Sequence, residues 1–145
     1  DPVRLIERII IRNKKQPQII EFNNESNSSG LVLIPLREIM FERAIQNILD
    51  NAKNVSSKIS IHLDIKKNFL QILIEDNGPG IDPDDREKAL KPFARLDQSR
   101  NQNNHSGVGL GLSIALDTVR SHGGNLTLDS SQKLGGLRVK ITLPL

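Results

Sequence analysis

Three polar clusters, far apart along the chain, carry the residue types best suited to chemistry. They are Asn47–Ala52 with its two asparagines, Asp76–Gly80 with a carboxylate and two glycines, and Gly107–Leu112 with three glycines. An amide oxygen can bind a cation, a carboxylate can accept hydrogen bonds from a flat base, and glycine-rich backbone can bind phosphate. Together they predict one nucleotide site assembled from three segments.

The first cluster lies on a predicted helix that begins near Pro35 and has apolar residues three and four positions apart. Asn47 and Asn51 are one turn apart, and Asn51 lies about 20° from Ala44 on the apolar face. Because a buried amide without a partner costs roughly 1–3 kcal/mol, Asn51 needs either a backbone partner or a ligand. If the two asparagines occurred alone, Asn51 would be expected to be an ordinary core residue. Because the other two clusters are also present, Asn51 is a candidate Mg²⁺ ligand.

The second cluster ends a predicted strand over Leu70–Asp76. Strand alternation places Asp76 on the apolar side, so its carboxylate faces inward and can accept a hydrogen bond from an exocyclic amine, as adenine carries. A plain Asp-Asn-Gly turn between two strands is the alternative. The segment after Gly80 favours the site, because Ile81–Asp85 has the composition of a helix start and not of a returning strand.

The third cluster has G-x-G-x-G spacing but fits neither common phosphate-binding fingerprint. It follows a polar loop where a Rossmann motif follows a strand, and no Gly-Lys-Ser/Thr is present for a P-loop. A glycine-rich start to a helix over Leu110–His122 remains, and backbone amides at such a start suit phosphate.

These motifs resemble the catalytic, ATP-binding domain of bacterial sensor histidine kinases, in the superfamily shared with DNA gyrase, Hsp90 and MutL. The resemblance covers nearly all of residues 36–145, and Pro92–Asp97 followed by a short lid is similar to the EnvZ osmosensor branch. It implies an α+β fold, a two-layer α/β sandwich of the Bergerat type. Its sheet would be mixed and mostly antiparallel, with helices on one face and a flexible ATP lid. The motifs that carry the resemblance are an N box at Gln46–Ala52, a G1 box at Glu75–Ile81, an F box at Lys91–Arg95 and a G2 box at Gly107–Leu112.

The resemblance also implies roles for individual residues in binding ATP and Mg²⁺ and in transferring the γ-phosphate to a histidine. Asn51 would hold the metal, Arg95 would approach the γ-phosphate, and Asp76 would bind adenine. At Asn54 and Val55 the chain departs from the basic and aromatic residues usual in the family, and Lys53 is the candidate replacement for the lost cation. The other nucleotide contacts are implied at Asn47, Asn54, Gly78, Gly80, Ile81, Phe93, Gly107, Val108, Gly109, Leu110 and Gly111.

The histidines are informative because none lies in the sequence context of a phosphoacceptor helix. His62 is predicted on the solvent side of a strand, His105 in the lid and His122 in the last turn of a helix where its charge suits the dipole. All three are expected to be structural or solvated. The resemblance therefore implies an acceptor histidine on a separate dimerisation domain and a response regulator as a further partner. Because the chain begins at Asp1, we expect a fragment of a larger kinase.

Two other functions stay open. An ATPase or serine kinase of the same superfamily uses a glutamate one turn before the metal asparagine as general base, and this chain has Asn47 there, a poor base. A non-catalytic ATP-binding regulatory module is the second, which the departures at Asn54 and Val55 keep open.

Composition agrees with one domain over residues 1–145. The net charge of +3 does not indicate nucleic acid binding, because the only aromatics are four Phe and no long basic run exists. Part of the excess charge lies over Arg86–His105, either as lid cations or as a solvated loop. No apolar run is long enough to span a bilayer, so we expect no direct membrane insertion of this domain. The resemblance implies a cytoplasmic location, in a full-length protein anchored in the bacterial inner membrane.

The remaining predicted elements are short and complete one sheet. A helix is expected over Val3–Arg12. Strands are expected over Gln18–Asn23, Leu31–Ile34, Lys58–Lys66, Leu126–Asp129 and Leu137–Leu143.

Overall fold

The structure, a computed structural model, describes residues 1–14, 19–24, 35–91 and 111–145. The predicted strand over Leu31–Ile34 and the predicted lid lie outside these ranges. The helices are α1 (Pro2–Asn13), α2 (Glu38–Val55), α3 (Arg86–Ala89, preceded by a 3-10 turn over Pro83–Asp85) and α4 (Gly111–Ser121). The strands are β1 (Ile19–Asn24), β2 (Lys58–Ile65), β3 (Phe69–Asp76), β4 (Asn125–Ser130) and β5 (Leu137–Pro144).

The five described strands form one sheet in the order β1-β2-β3-β5-β4. β1 runs parallel to β2, and the other neighbouring pairs are antiparallel. β3 is central, and its Ile72 is paired with Leu63 of β2 on one side and Ile141 of β5 on the other. The prediction of a mixed, mostly antiparallel sheet is confirmed.

Helices cover one face of the sheet. Along the central strands the residues on this face are buried, among them Ile61, Ile72 and Ile141, whereas Lys140 on the other face is exposed. The buried sides of α1, α2 and α4 belong to the same core as these strand residues. The α+β, two-layer architecture expected from the sequence is therefore confirmed. In the described ranges, none of the helices has the length and apolar character needed to cross a bilayer.

α2 and α4 pack antiparallel, so the start of α4 meets the end of α2. At the other end of the pair, His122 follows α4 and accepts a hydrogen bond from Arg37 N at 2.9 Å through Nε2. Its Nδ1 lies 2.7 Å from Thr118 O, and its ring makes an edge contact with Phe41 at 6.1 Å between centroids. An imidazole that accepts at Nε2 and donates from Nδ1 is neutral. His122 is thus structural, as expected, but through a neutral ring and not through a charge on the helix end.

We expect His122→Ala to lower the free energy of unfolding by about 2 kcal/mol, because it removes both hydrogen bonds and the contact with Phe41. Urea denaturation measures this. Arg120→Ala, at an exposed position of the same helix, is the matched control and should change stability by less than about 0.5 kcal/mol. Equal effects of the two substitutions would show that His122 does not join the helices.

Candidate functional site

Asn51 lies near the end of α2, half-buried and facing the first residue of α4. A Cβ built on Gly111 would lie 3.1 Å from Asn51 Nδ2 and 3.3 Å from Oδ1, so the α4 backbone begins in contact with the amide. Within the described part of the chain, no group hydrogen-bonds to the Asn51 side chain. A partly buried amide that no described residue hydrogen-bonds is compatible with a ligand role.

Asp76 ends β3 with only 4% of its surface exposed. Its Oδ1 accepts hydrogen bonds from Gly78 N at 2.8 Å and Leu137 N at 3.2 Å. No described residue donates to Oδ2. Burial raises the pKa of the Asp76 carboxyl above its ordinary value, and the N–H groups of Gly78 and Leu137 oppose this shift. One oxygen is thus held by the backbone and the other can accept from a ligand.

The loop after Asp76 passes close to the end of α2. A Cβ on Gly78 would lie 2.8 Å from Val55 O and 3.0 Å from Val55 Cγ2, so this position has no room for a side chain. Gly80 has φ +73°, in the left-handed region that glycine adopts without strain. Val55 is 52% exposed and forms an apolar surface beside the loop.

Arg86 anchors this loop. Its Nε donates to Ile81 O at 3.3 Å, and its guanidinium donates to Ser130 Oγ at 2.8 Å and lies 3.7 Å from Asp129 Oδ1. The N–H of Ser130 and the guanidinium of Arg138 lower the pKa of Asp129, with a smaller effect from Arg86. Arg86, counted with the lid cations in the sequence, therefore joins the loop to the end of β4.

Lys53 does not lie with Asn51. It is about 160° away around α2, and its Nζ hydrogen-bonds to Asn13 Oδ1 on α1. Asn13 also exchanges two hydrogen bonds with Gln46, at 2.9 and 3.0 Å. Burial lowers the pKa of Lys53, and Asp50 opposes this shift. In this structure Lys53 links two helices, and its phosphate contact stays a prediction.

The other predicted contacts divide into two groups. Asn47 and Asn54 lie within about 60° of Asn51 around α2, so they share its side of the helix. Six of them lie outside the described residues, as does the segment that is similar to the EnvZ branch; these are Phe93, Arg95, Gly107, Val108, Gly109 and Leu110.

Among the described residues, no three His, Cys, Asp or Glu side chains are grouped to hold a metal ion. A cation there would depend on Asn51 and on oxygens of its ligand.

Sequence reasoning did not assign Gly136 or Leu137 to the site. Gly136 N donates to Asp76 O at 3.0 Å, and Leu137 N donates to the Asp76 carboxylate. The available signal was the pair Gly135-Gly136 directly before a strand, which is typical of a tight turn but does not say what the turn contacts.

Comparison with known proteins places this site in a family. The sequence pattern of the family described as "Histidine kinase-, DNA gyrase B-, and HSP90-like ATPase" matches residues 37–145. The chain belongs to this family. Family membership implies that the domain uses a nucleotide.

Similar curated proteins are sensor kinases. The chain is 40% identical over 105 residues to sensor histidine kinase CpxA of Escherichia coli K12, covering 72% of this chain and 22% of CpxA. It is 41% identical over 117 residues to sensor protein kinase CarS of Pseudomonas aeruginosa, covering 80% of this chain and 25% of CarS. The chain thus spans about a quarter of the length of these relatives.

Solved structures agree with the fold. The mycobacterial sensor histidine kinase MprB is 29% identical, and its structure matches with a TM-score of 0.76. The match covers 99% of this chain and 94% of the MprB chain. Full-length ShkA in complex with AMPPNP is 21% identical, with a TM-score of 0.78. The match covers 99% of this chain and 30% of ShkA, and at this identity it shows the shared fold alone.

In the protein without ligand, we expect the pKa of Asp76 to lie above the ordinary aspartate value and that of Asp129 below it, which carboxyl ¹³C shifts during a pH titration would measure. A raised folded-state pKa means that stability is lost as pH rises through that pKa. Asp76→Asn, which keeps an acceptor for both N–H groups, should therefore be at least as stable as the parent at pH 7. A clear loss of stability would show that the ionised carboxylate is a structural group.

Proposed function

We propose that this chain is the catalytic ATP-binding domain of a sensor histidine kinase, which binds Mg²⁺-ATP and transfers the γ-phosphate to a histidine on a separate dimerisation domain. The observation that carries the proposal is a pair of polar groups that the described residues leave incompletely hydrogen-bonded. They are the amide of Asn51, which lies against Gly111, and the carboxylate of Asp76 at the end of β3, where the following loop meets the end of α2 at Val55.

Asp76 would read the base. Adenine has an exocyclic amine that can donate to Oδ2, whereas guanine has a carbonyl oxygen at that position, which the carboxylate repels. Both backbone N–H groups act on Oδ1, so Oδ2 keeps its capacity to accept. Val55, half-exposed beside Gly78, would supply apolar contact to the ring.

Asn51 would hold the Mg²⁺ ion. The site suits this ion because Mg²⁺ takes oxygen ligands, needs few from the protein and shares the phosphates of its nucleotide. When bound, the ion neutralises phosphate charge and orients the phosphates. The amides over 107–110 would bind phosphate, and Arg95 would approach the γ-phosphate; both assignments depend on the family resemblance.

The accepting histidine would come from another domain. His122 uses both ring nitrogens within the fold, and His62 lies on the sheet face opposite the described helices. A neutral imidazole is itself a nucleophile, so transfer to histidine does not need the general base that Asn47 fails to provide. We further propose that a response regulator takes the phosphate next, that the domain works in the cytoplasm, and that its full-length protein is anchored in the inner membrane.

Adding the phosphoacceptor hairpin of the same kinase in trans with labelled ATP and Mg²⁺ tests this function. The expected result is acid-labile, base-stable phosphate on the hairpin. Phosphate release without labelled hairpin would indicate an ATPase, and acid-stable label would indicate a serine kinase. ATP binding with neither product would indicate a regulatory module.

Asn51→Asp and Asn51→Ala should abolish Mg²⁺-dependent phosphotransfer and leave the fold intact, because the only protein ligand proposed for the metal is lost or altered. Transfer rates and circular dichroism are the measurements. Asn125→Ala, an exposed asparagine on β4, is the control and should keep the parental rate. A folded Asn51 variant with the parental rate would refute the ligand role.

Asp76→Asn should weaken ATP binding by roughly 1–3 kcal/mol and reduce the preference for ATP over GTP, because an amide accepts less strongly than a carboxylate. In the parent, ATP affinity should also fall as the pH drops through the raised pKa of Asp76. The variant should lack that step. Competition titrations over a pH series decide, and identical ATP affinities in parent and variant would remove Asp76 from the base pocket.

A further inference from the structure

The turn between β4 and β5 lies directly against Asp76. Its Gly136 N donates to Asp76 O at 3.0 Å, and the next N–H, of Leu137, donates to Asp76 Oδ1 at 3.2 Å. A Cβ built on Gly136 would lie closer than 3.0 Å to both of these oxygens and 2.7 Å from Gly78 N. Any side chain at position 136 would therefore displace the carboxylate or the loop that follows it.

Gly136 is needed for space and not for backbone conformation. The described glycines with positive φ are Gly80, Gly123 and Gly135, so Gly136 has a backbone conformation open to other residues. Its neighbour has the opposite requirement. Gly135 has φ +87°, yet a Cβ built there would meet nothing within 4 Å. A side chain at position 136 would therefore disturb Asp76, whereas a side chain at position 135 would only strain the backbone of the turn.

The turn is fixed in place by Ser131, which is 2% exposed. Its N–H donates to Gly136 O at 2.7 Å, and its hydroxyl accepts from Leu134 N at 3.0 Å. The same hydroxyl donates to Glu75 Oε1 at 3.3 Å, on the residue directly before Asp76. The turn and the end of β3 are thus joined on both sides of the carboxylate, so the N–H of Leu137 has a set direction.

We propose that Gly136 is a positioning residue of the base site, and that the β4–β5 turn determines which oxygen of Asp76 meets the base. The inference rests on the proposed function and deepens it. With Oδ1 occupied by the N–H groups of Gly78 and Leu137, only Oδ2 is presented to an amine donor. The turn therefore contributes to the choice of adenine over guanine without touching the ligand.

Gly136→Ala and Gly135→Ala form a matched pair that tests the proposal by nucleotide titration and thermal unfolding. Gly136→Ala should weaken ATP binding about tenfold or more and reduce the ATP to GTP affinity ratio. Gly135→Ala should lower the melting temperature through backbone strain and leave ATP affinity within about twofold. If the two variants lose affinity equally, or neither does, the positioning role is wrong.

A double-mutant cycle with Asp76→Asn shows whether Gly136 acts through the carboxylate. In the Asp76→Asn background, Gly136→Ala should have little further effect on the affinity ratio. Additive effects would overturn the inference. If Asp76→Asn alone leaves ATP affinity unchanged, the base contact in the proposed function fails; if it weakens binding while Gly136→Ala does not, only the positioning role fails.

A measurement on the parent protein covers the case in which Gly136→Ala does not fold. The amide ¹⁵N–¹H signal of Leu137 should titrate with the Asp76 carboxyl group and should shift when ATP binds. A Leu137 signal that is insensitive to both would overturn the proposal.

Discussion

The site depends on the buried carboxylate of Asp76, in which only one of the two oxygens accepts hydrogen bonds from the described residues. Asp76 ends the central strand β3, where it is paired with Ile59 of β2 and its carbonyl oxygen accepts a hydrogen bond from Gly136 N. Removing a carboxylate from water is costly, and two backbone N–H groups on Oδ1 offset part of that cost. The remaining oxygen is an acceptor of fixed position, which is what base recognition needs. If both oxygens of Asp76 were hydrogen-bonded within the fold, the folded protein would be more stable, but the carboxylate could not accept a hydrogen bond from a ligand.

Antiparallel packing of α2 and α4 supplies the other half of the site. Asn51, near the end of α2, and Gly111, the first residue of α4, meet because the two helices run in opposite directions. The opposite end of the pair is joined by the neutral imidazole of His122, which bridges Arg37 and Thr118. Contacts at the far end of the helix pair thereby help to hold the Asn51 amide against Gly111.

Local patterns in the sequence predicted most of the fold, because apolar alternation and spacing report which face of a strand or helix is buried. They placed Asp76 inward and Asn51 on the helix face that meets α4. They could not predict Gly136, since its importance arises from a contact between segments sixty residues apart. The role of Arg86 likewise depends on β4. Lys53 is a different case, because helical periodicity alone places it on the other side of α2 from Asn51.

The central claim is that three segments distant in the sequence form one nucleotide site, and an NMR titration with Mg²⁺-ATP tests it most directly. The backbone amides of Asn51, Gly78 and Gly111 report on the end of α2, the loop after β3 and the start of α4. The account predicts that all three signals shift along curves with the same dissociation constant. Shifts confined to one segment, or different constants for different segments, would contradict it.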